Sequence, residues 1–156
     1  MDQRTVLLGI GNTITIAAGQ EDTGNVFALL DYELAPGFAG LPPHRHQNED
    51  VAIYVLEGHL QVWVGQTQRR LGPGDFIFLP RGITHGPRNA ESEPTRFLLL
   101  LIPAGFERCF RDLEAALGED AAFSVEIVAP LLAGYGVRTE AIDAMEHGRR
   151  RPRETK

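Results

Sequence analysis

Residues 44–58 read HRHQNEDVAIYVLEG. Two histidines stand one residue apart, an acidic pair follows at Glu49 and Asp50, and an apolar run closes on Glu57-Gly58. A strand alternates its side chains with a period of two, so an extended His44 and His46 present both imidazoles to one side. Pro42-Pro43 favours that geometry, because a residue before proline is biased toward extended backbone. A third histidine, His85, follows FIFLPRGIT at 76–84. An antiparallel strand would bring it opposite the pair. Three neutral imidazoles make a facial metal site that leaves coordination positions open. Each histidine taken singly is an ordinary structural side chain, so the frame around the three has to carry the assignment.

Outward from this stretch, short apolar runs alternate with turn residues from about residue 5 to 102. TITIA (13–17) ends at Gly19, and VFALLDYEL (26–34) runs to Pro36-Gly37. VAIYVLEG (51–58) and LQVWVG (60–65) are nearly contiguous through Gly58, which predicts a hairpin. QRRL leads into the turn GPGD (72–75), and FIFLP and RFLLLLIP supply further strands. Many short strands at close, regular spacing predict an all-β sandwich or barrel. From residue 103 the period changes. Phe106, Phe110, Leu113 and Leu117 share one helical face, with Gly118 to end it. Cys109 lies on the same face and is expected to be packed core. A second helix is expected between Ser124 and Gly134, interrupted or begun near Pro130, and a third from Thr139 to Gly148. The expected organisation is a barrel with N-terminal strands over 1–104, helices over 105–148 that pack on the barrel or a partner, and a basic tail over 149–156.

Composition limits the function classes. The chain has 156 residues, 43% hydrophobic, with Gly 17, Pro 10 and one cysteine, which suits one soluble globular domain. No run reaches the ~18–20 apolar residues of a membrane span, and the start lacks a basic-then-apolar leader layout. A lone cysteine fits a reducing cytoplasm. Net charge is −6, unevenly spread. The last nine residues hold five of the 15 bases and one of the 21 acids, which leaves ten bases against twenty acids in the body. Such a body is a poor partner for nucleic acid or an anionic membrane, and the tail is expected to be a solvated end.

Two spaced motifs give the histidines their frame. The chain resembles the cupin family, specifically the single-domain cupins compared with quercetin dioxygenases. The family's first motif is Gly, five residues, His-x-His, three or four residues, Glu, six residues, Gly. Gly37 stands one residue further out than that spacing, while His44, His46 and Gly58 fit it. The second motif is Gly, five residues, Pro-x-Gly, two residues, His, three residues, Asn. Gly74, Pro80, Gly82, His85 and Asn89 match at every position. The resemblance implies a double-stranded β-helix, or jelly-roll barrel, with a C-terminal helical extension. It also implies one divalent transition metal (Fe, Mn, Ni or Zn), a small-molecule ligand or substrate, and a homodimer.

The departure is at position 51, where the family's metal-binding Glu would sit and this chain has Val51. The expected ligand set is therefore His44, His46 and His85. Glu49 and Asp50 are alternative ligands, with solvated loop acids as the simpler reading of both. Without a protein carboxylate, a divalent ion keeps its full charge toward an anionic, chelating substrate. Val51, Ile53, Val55, Phe76 and Phe78 are expected to line an apolar pocket, with Tyr54 and Trp63 outside it. His59 and His147 match no motif position and are given no role. The functions left open are a dioxygenase on a small enolisable or aromatic substrate, a redox-neutral isomerase, cyclase or decarboxylase at the same metal, and a metal-free ligand-binding cupin. Metal affinity is expected to fall as pH drops through about 6, where ordinary imidazoles protonate.

Overall fold

A computed structural model describes residues 4–7, 11–40, 42–118, 125–140 and 143. The chain begins with β1 (Thr5–Leu7), β2 (Thr13–Ala18), a short helix α1 (Gln20–Thr23) and β3 (Ala28–Leu34). It continues through β4 (His44–His46), β5 (Asp50–Glu57), β6 (Leu60–Val64), β7 (Thr67–Leu71), β8 (Phe76–Leu79), β9 (His85–Arg88) and β10 (Thr95–Ile102). Helices α2 (Glu107–Leu117) and α3 (Val125–Gly134) follow, and then a last strand, β11 (Val137–Thr139). The strands form two antiparallel sheets, in the orders β1-β2-β3-β10-β5-β8 and β11-β4-β9-β6-β7. One apolar core lies between them, drawing Leu30, Ile53, Phe97 and Leu101 from the first sheet and Leu60, Val62 and Val137 from the second. Burying each such side chain contributes about 1.5–3 kcal/mol.

Alternation sets which residues reach that core. In β3, Ala28, Leu30, Tyr32 and Leu34 are buried, while Leu29, Asp31 and Glu33 face outward. In β10, the apolar run divides the same way, with Phe97, Leu99 and Leu101 inside. The run itself does not say which face is inward; the pairing with β3 and β5 does.

The expected hairpin over 51–65 does not form. β5 pairs with β10 and β8 in one sheet, whereas β6 pairs with β7 and β9 in the other. Gly58 is the corner where the chain passes between sheets. Its φ is +72°, and an added Cβ would meet the Pro94 carbonyl oxygen at 2.5 Å. The position thus demands glycine for two reasons, backbone hand and backbone approach. A short connection that normally signals a hairpin is here a fold between layers.

The C-terminal segment also differs from a purely helical extension. α2 buries Cys109, Phe110, Leu113 and Leu117 against the core. Cys109 is fully enclosed and its thiol is pushed up to about 12, chiefly by burial and then by Asp112, so it is packing and not a nucleophile. α3 keeps Pro130 inside the helix. After it, β11 returns to the second sheet and pairs with β4, Val137 to His46 and Thr139 to His44. Three residues with little periodicity do not announce a strand; only the pairing partner makes one. The expected third helix has Thr139 at its start, which here ends β11, and its remainder falls almost wholly outside the described residues, as do His147 and the basic tail. No helix among the described residues is long and apolar enough to cross a membrane.

Candidate metal centre

β4 is short, and both of its neighbours are needed to place its histidines. β11 lies on one side and β9 on the other, with His44 directly opposite His85. Gly82 donates its N–H to the His46 carbonyl at 2.7 Å, and Gly65 donates to the Thr84 carbonyl at 2.8 Å. These bonds hold the 80–84 turn so that His85 enters β9 facing the pair. At the other end, Asn89 is fully buried. Its Nδ2 donates to the carbonyls of Leu34, Ala35 and Glu93, and its Oδ1 accepts from Glu91 N. The last residue of the second motif is therefore a clamp that ties β9 to the end of β3.

His44, His46 and His85 are all buried, and one ring nitrogen from each lies within 4.8 Å of the others. Each ring is oriented from behind. His44 Nδ1 is 3.1 Å from the Pro42 carbonyl, His85 Nδ1 is 3.2 Å from the Ile83 carbonyl, and His46 Nδ1 is 3.1 Å from Glu49 Oε2. Those partners are acceptors, so in the neutral ring Nδ1 carries the proton and Nε2 keeps its lone pair. Burial pushes His44 down to about 3, helped by the neighbouring His85 and His46 rings, and pushes His85 down to about 4. These two rings are thus neutral at ordinary pH. Buried imidazoles with anchored Nδ1 are a donor set that fits a divalent transition ion.

The two acids after His46 have separate fates. Glu49 is 7% exposed, and its carboxylate stands behind His46 and not beside the shared centre. It is no solvated loop acid, because the turn folds it under β4. Asp50 points outward, as strand alternation requires, and holds Arg81 through that residue's backbone N–H at 2.8 Å and its guanidinium at 3.1 Å. The guanidinium beside it holds its carboxyl below the usual range. Neither acid belongs to the histidine cluster.

The histidines open onto a cavity of about 170 Å³. Val51 and Ile53 line it; Val55 is buried in the adjoining core. Phe76 and Phe78 do not line it. They are 59% and 48% exposed on the outer face of β8. The register explains this: Ile77 and Leu79 pair with Ile53 and Val51, while Phe76 and Phe78 pair with Tyr54 and Ala52, and direct partners share a face. Tyr54 and Trp63 are exposed as expected. The aromatic wall comes instead from the start of α2, its capping residue and β10, through Phe110, Phe106 and Phe97, with Tyr32 and Asn12 from the β2–β3 side. Phe106 packs edge-on against His46 at 4.6 Å. The alternation in residues 28–34 was a signal for Tyr32, since it puts one polar side chain among inward apolar ones. Nothing in the sequence pointed to Asn12. Among the described residues, no carboxylate lines the cavity.

Burial of the two histidines has a consequence for stability. In the unfolded chain a histidine protonates near pH 6.5, but folded His44 and His85 resist protonation down to about 3 and about 4. Between those limits the unfolded state binds more protons, so stability is full above about pH 6.5 and falls as pH drops toward 4. The slope is at most ~1.4 kcal/mol per pH unit for each ring. Urea unfolding of the metal-free protein should show a clearly lower midpoint at pH 5 than at pH 7.5. An unchanged midpoint would mean that the rings are not held neutral by burial. The same burial moves proton competition with metal at His44 and His85 below the pH of about 6 expected for ordinary imidazoles.

Comparison with known proteins agrees with this architecture. Residues 30–101 match the sequence profile of the cupin domain. The quercetin 2,3-dioxygenase of Bacillus subtilis (strain 168) is 32% identical over 98 residues, which cover 63% of this chain and 28% of that protein. The chain thus spans well under half of that relative's length. The polyketide cyclase RemF from Streptomyces resistomycificus superposes with a TM-score of 0.53 at 30% identity, covering 60% of this chain and 66% of that one. KdgF from Halomonas sp. gives a TM-score of 0.58 at 24% identity, covering 67% of this chain and 91% of that one, a likeness of fold alone. The matched span holds both motifs and all three histidines, and the two-sheet architecture extends beyond it at both ends: residues 30–101 of this chain are a cupin domain.

Proposed function

We propose that this protein is a mononuclear metal-dependent enzyme, a dioxygenase acting on a small enolisable or aromatic substrate. The observation that carries the proposal is the convergence of three buried imidazoles, each anchored through Nδ1, at the wall of an apolar cavity. His44, His46 and His85 would hold one Fe(II), Mn(II) or Ni(II) ion through Nε2. Such an ion supplies Lewis acidity and, being redox-active, a route for reaction with dioxygen. The three ligands are neutral, so the anion that balances the charge has to come with the substrate. An enolate or phenolate meets that need, and among the described residues no carboxylate lines the cavity to serve as base. The substrate would therefore enter already ionised, having left its proton with solvent.

Size and polarity narrow the substrate. An engineered apolar cavity of about 150 Å³ holds one benzene, so a cavity of about 170 Å³ suits a single ring or a short dione. Phe97, Phe106 and Phe110 exclude water from it and favour a flat, apolar body.

Glu49 acts through His46 as a positioning residue, by accepting the hydrogen bond that its Nδ1–H donates. Glu49→Gln should weaken metal affinity about 10–100-fold, the usual cost of losing an outer partner of a metal-bound histidine. Competition against a chelating dye reads this directly; unchanged affinity would leave Glu49 no part in orienting the ring.

A second reading is a redox-neutral reaction at the same ion, Zn(II) included, such as cyclisation, isomerisation or decarboxylation. The likeness to a polyketide cyclase at 30% identity favours it specifically. An oxygen electrode separates the two. Metal-loaded protein is given single-ring phenols and small β-diketones, and substrate loss is followed in parallel. Oxygen uptake matching substrate loss supports the dioxygenase, and loss without uptake supports the redox-neutral reading. Saturable binding with no turnover and no metal in protein purified without added ions would make it a ligand-binding cupin instead.

A further inference from the structure

The cavity has a second polar feature. Tyr32 is 7% exposed and lines the cavity from β3. Its ring is fixed by stacking on Phe97 at 5.1 Å and by an edge contact with Phe110 at 6.1 Å. Its hydroxyl has no hydrogen-bond partner among the described residues. Asn12 is 4% exposed and also lines the cavity. Its Oδ1 accepts the Ala35 N–H at 2.9 Å, which fixes the orientation of the amide. Its Nδ2 therefore keeps both protons, and these too find no partner. Among the described residues no side-chain nitrogen or oxygen sealed from all space lacks a bond, so these open valences face accessible space, and the space both residues line is the cavity.

Register places the two groups together. Ile14 pairs with Tyr32, and Asn12 lies two residues before Ile14 on the same face, as a diagonal neighbour of Tyr32. Such neighbours are roughly 7–8 Å apart, a spacing that lets two side chains converge on one ligand atom. The histidines sit on the other sheet, on β4 and β9. The rings of Phe106 and Phe110, one helical turn apart, run between them: His46 touches Phe106, Phe106 touches Phe110 at 5.5 Å, and Phe110 touches Tyr32. Thr139, the remaining hydroxyl of the lining, is already engaged.

We propose that Tyr32 Oη and Asn12 Nδ2 form a second recognition point, which donates hydrogen bonds to a carbonyl oxygen on the part of the ligand remote from the histidines. The ligand then has two oxygen-bearing ends on a flat apolar body: an ionisable one for the histidine end and a neutral acceptor for this one. This deepens the proposed function by naming its substrate class. An unpaired donor pair in an apolar cavity costs stability until an acceptor arrives, so it selects strongly for ligands that carry one. Burial raises the Tyr32 pKa, which keeps the hydroxyl protonated as a donor.

The test uses metal-free protein and two flat, nearly isosteric single-ring probes, acetophenone and α-methylstyrene, which differ by a carbonyl against a vinylidene group. Without metal, the histidine end offers only lone pairs, so a preference for the carbonyl has to arise at donors elsewhere. Calorimetry should find acetophenone bound about tenfold more tightly, the factor worth one neutral hydrogen bond. In Tyr32→Phe, which keeps the ring contacts, that preference should fall to about twofold or less, with α-methylstyrene binding unchanged and the melting temperature unchanged or raised. Equal affinities in the wild type, a preference that survives Tyr32→Phe, no binding of either probe, or a melting temperature lowered in Tyr32→Phe would each overturn the proposal. Because the protein is metal-free throughout, such a failure is separate from failure of the metal-dependent reading, which metal content measures.

Discussion

Changing His44, His46 or His85 to alanine should reduce bound metal from about one divalent ion per chain to a trace. The expectation follows from the donor count. In the proposed site three imidazoles would be the whole ligand set among the described residues, because Glu49 is turned to His46 Nδ1 and Asp50 to Arg81. Removing one leaves two ligands and no nearby substitute, since no carboxylate borders the cavity among the described residues. His59→Ala should keep full metal, because His59 lies near Gly72 at another part of the surface. Elemental analysis after purification without nickel resin reads the outcome. Metal should also raise the melting temperature of the wild type, because it binds the folded site and not the open chain, and that rise should vanish in each alanine variant. The metal-free variants should remain folded, since the lost ring borders existing space. If the triple alanine variant keeps one ion per chain, the centre lies elsewhere.

The histidines could be paired with one another from sequence because two simple rules apply to them. Period-two alternation puts His44 and His46 on one face, and the match of Gly74 to Asn89 with the family's second motif implies that His85 joins them. The environment behind them was not legible, because it depends on how separate segments fold together. Glu49 becomes buried only because the turn after His46 tucks under β4. β11 exists only because α2 and α3 return the chain to that strand. Phe76 and Phe78 were expected inside as one of the two apolar faces of their strand, yet the register with β5 decides the face, and a one-residue choice moves every side chain across the sheet. Gly58 teaches the same lesson: a glycine between two strands signals a sharp turn, but whether the strands pair or part is settled by their other neighbours.

Val51→Glu should give a variant that is destabilised without metal and regains its stability with it. Val51 is 2% exposed and lines the same cavity as the three histidines, held between Leu101 and Leu79 in register. A carboxylate placed there without metal is buried among apolar side chains, and its cost is on the order of several kcal/mol. The metal-free variant should therefore melt lower by on the order of 10 °C, given ~2–4 °C per kcal/mol for a domain of this size. With a divalent ion, the same group becomes a fourth, anionic ligand. Affinity should rise at least about tenfold, and the lost stability should return. An anionic chelating ligand should bind the loaded variant more weakly, because the protein now supplies the negative charge and fills a position the ligand would use. Val51→Gln gives the control, since it brings similar bulk and a buried polar group without the charge, and should show the destabilisation with little metal rescue. If Val51→Glu and Val51→Gln behave alike with and without metal, position 51 is only cavity wall, and the balancing charge is not placed there by either protein or substrate.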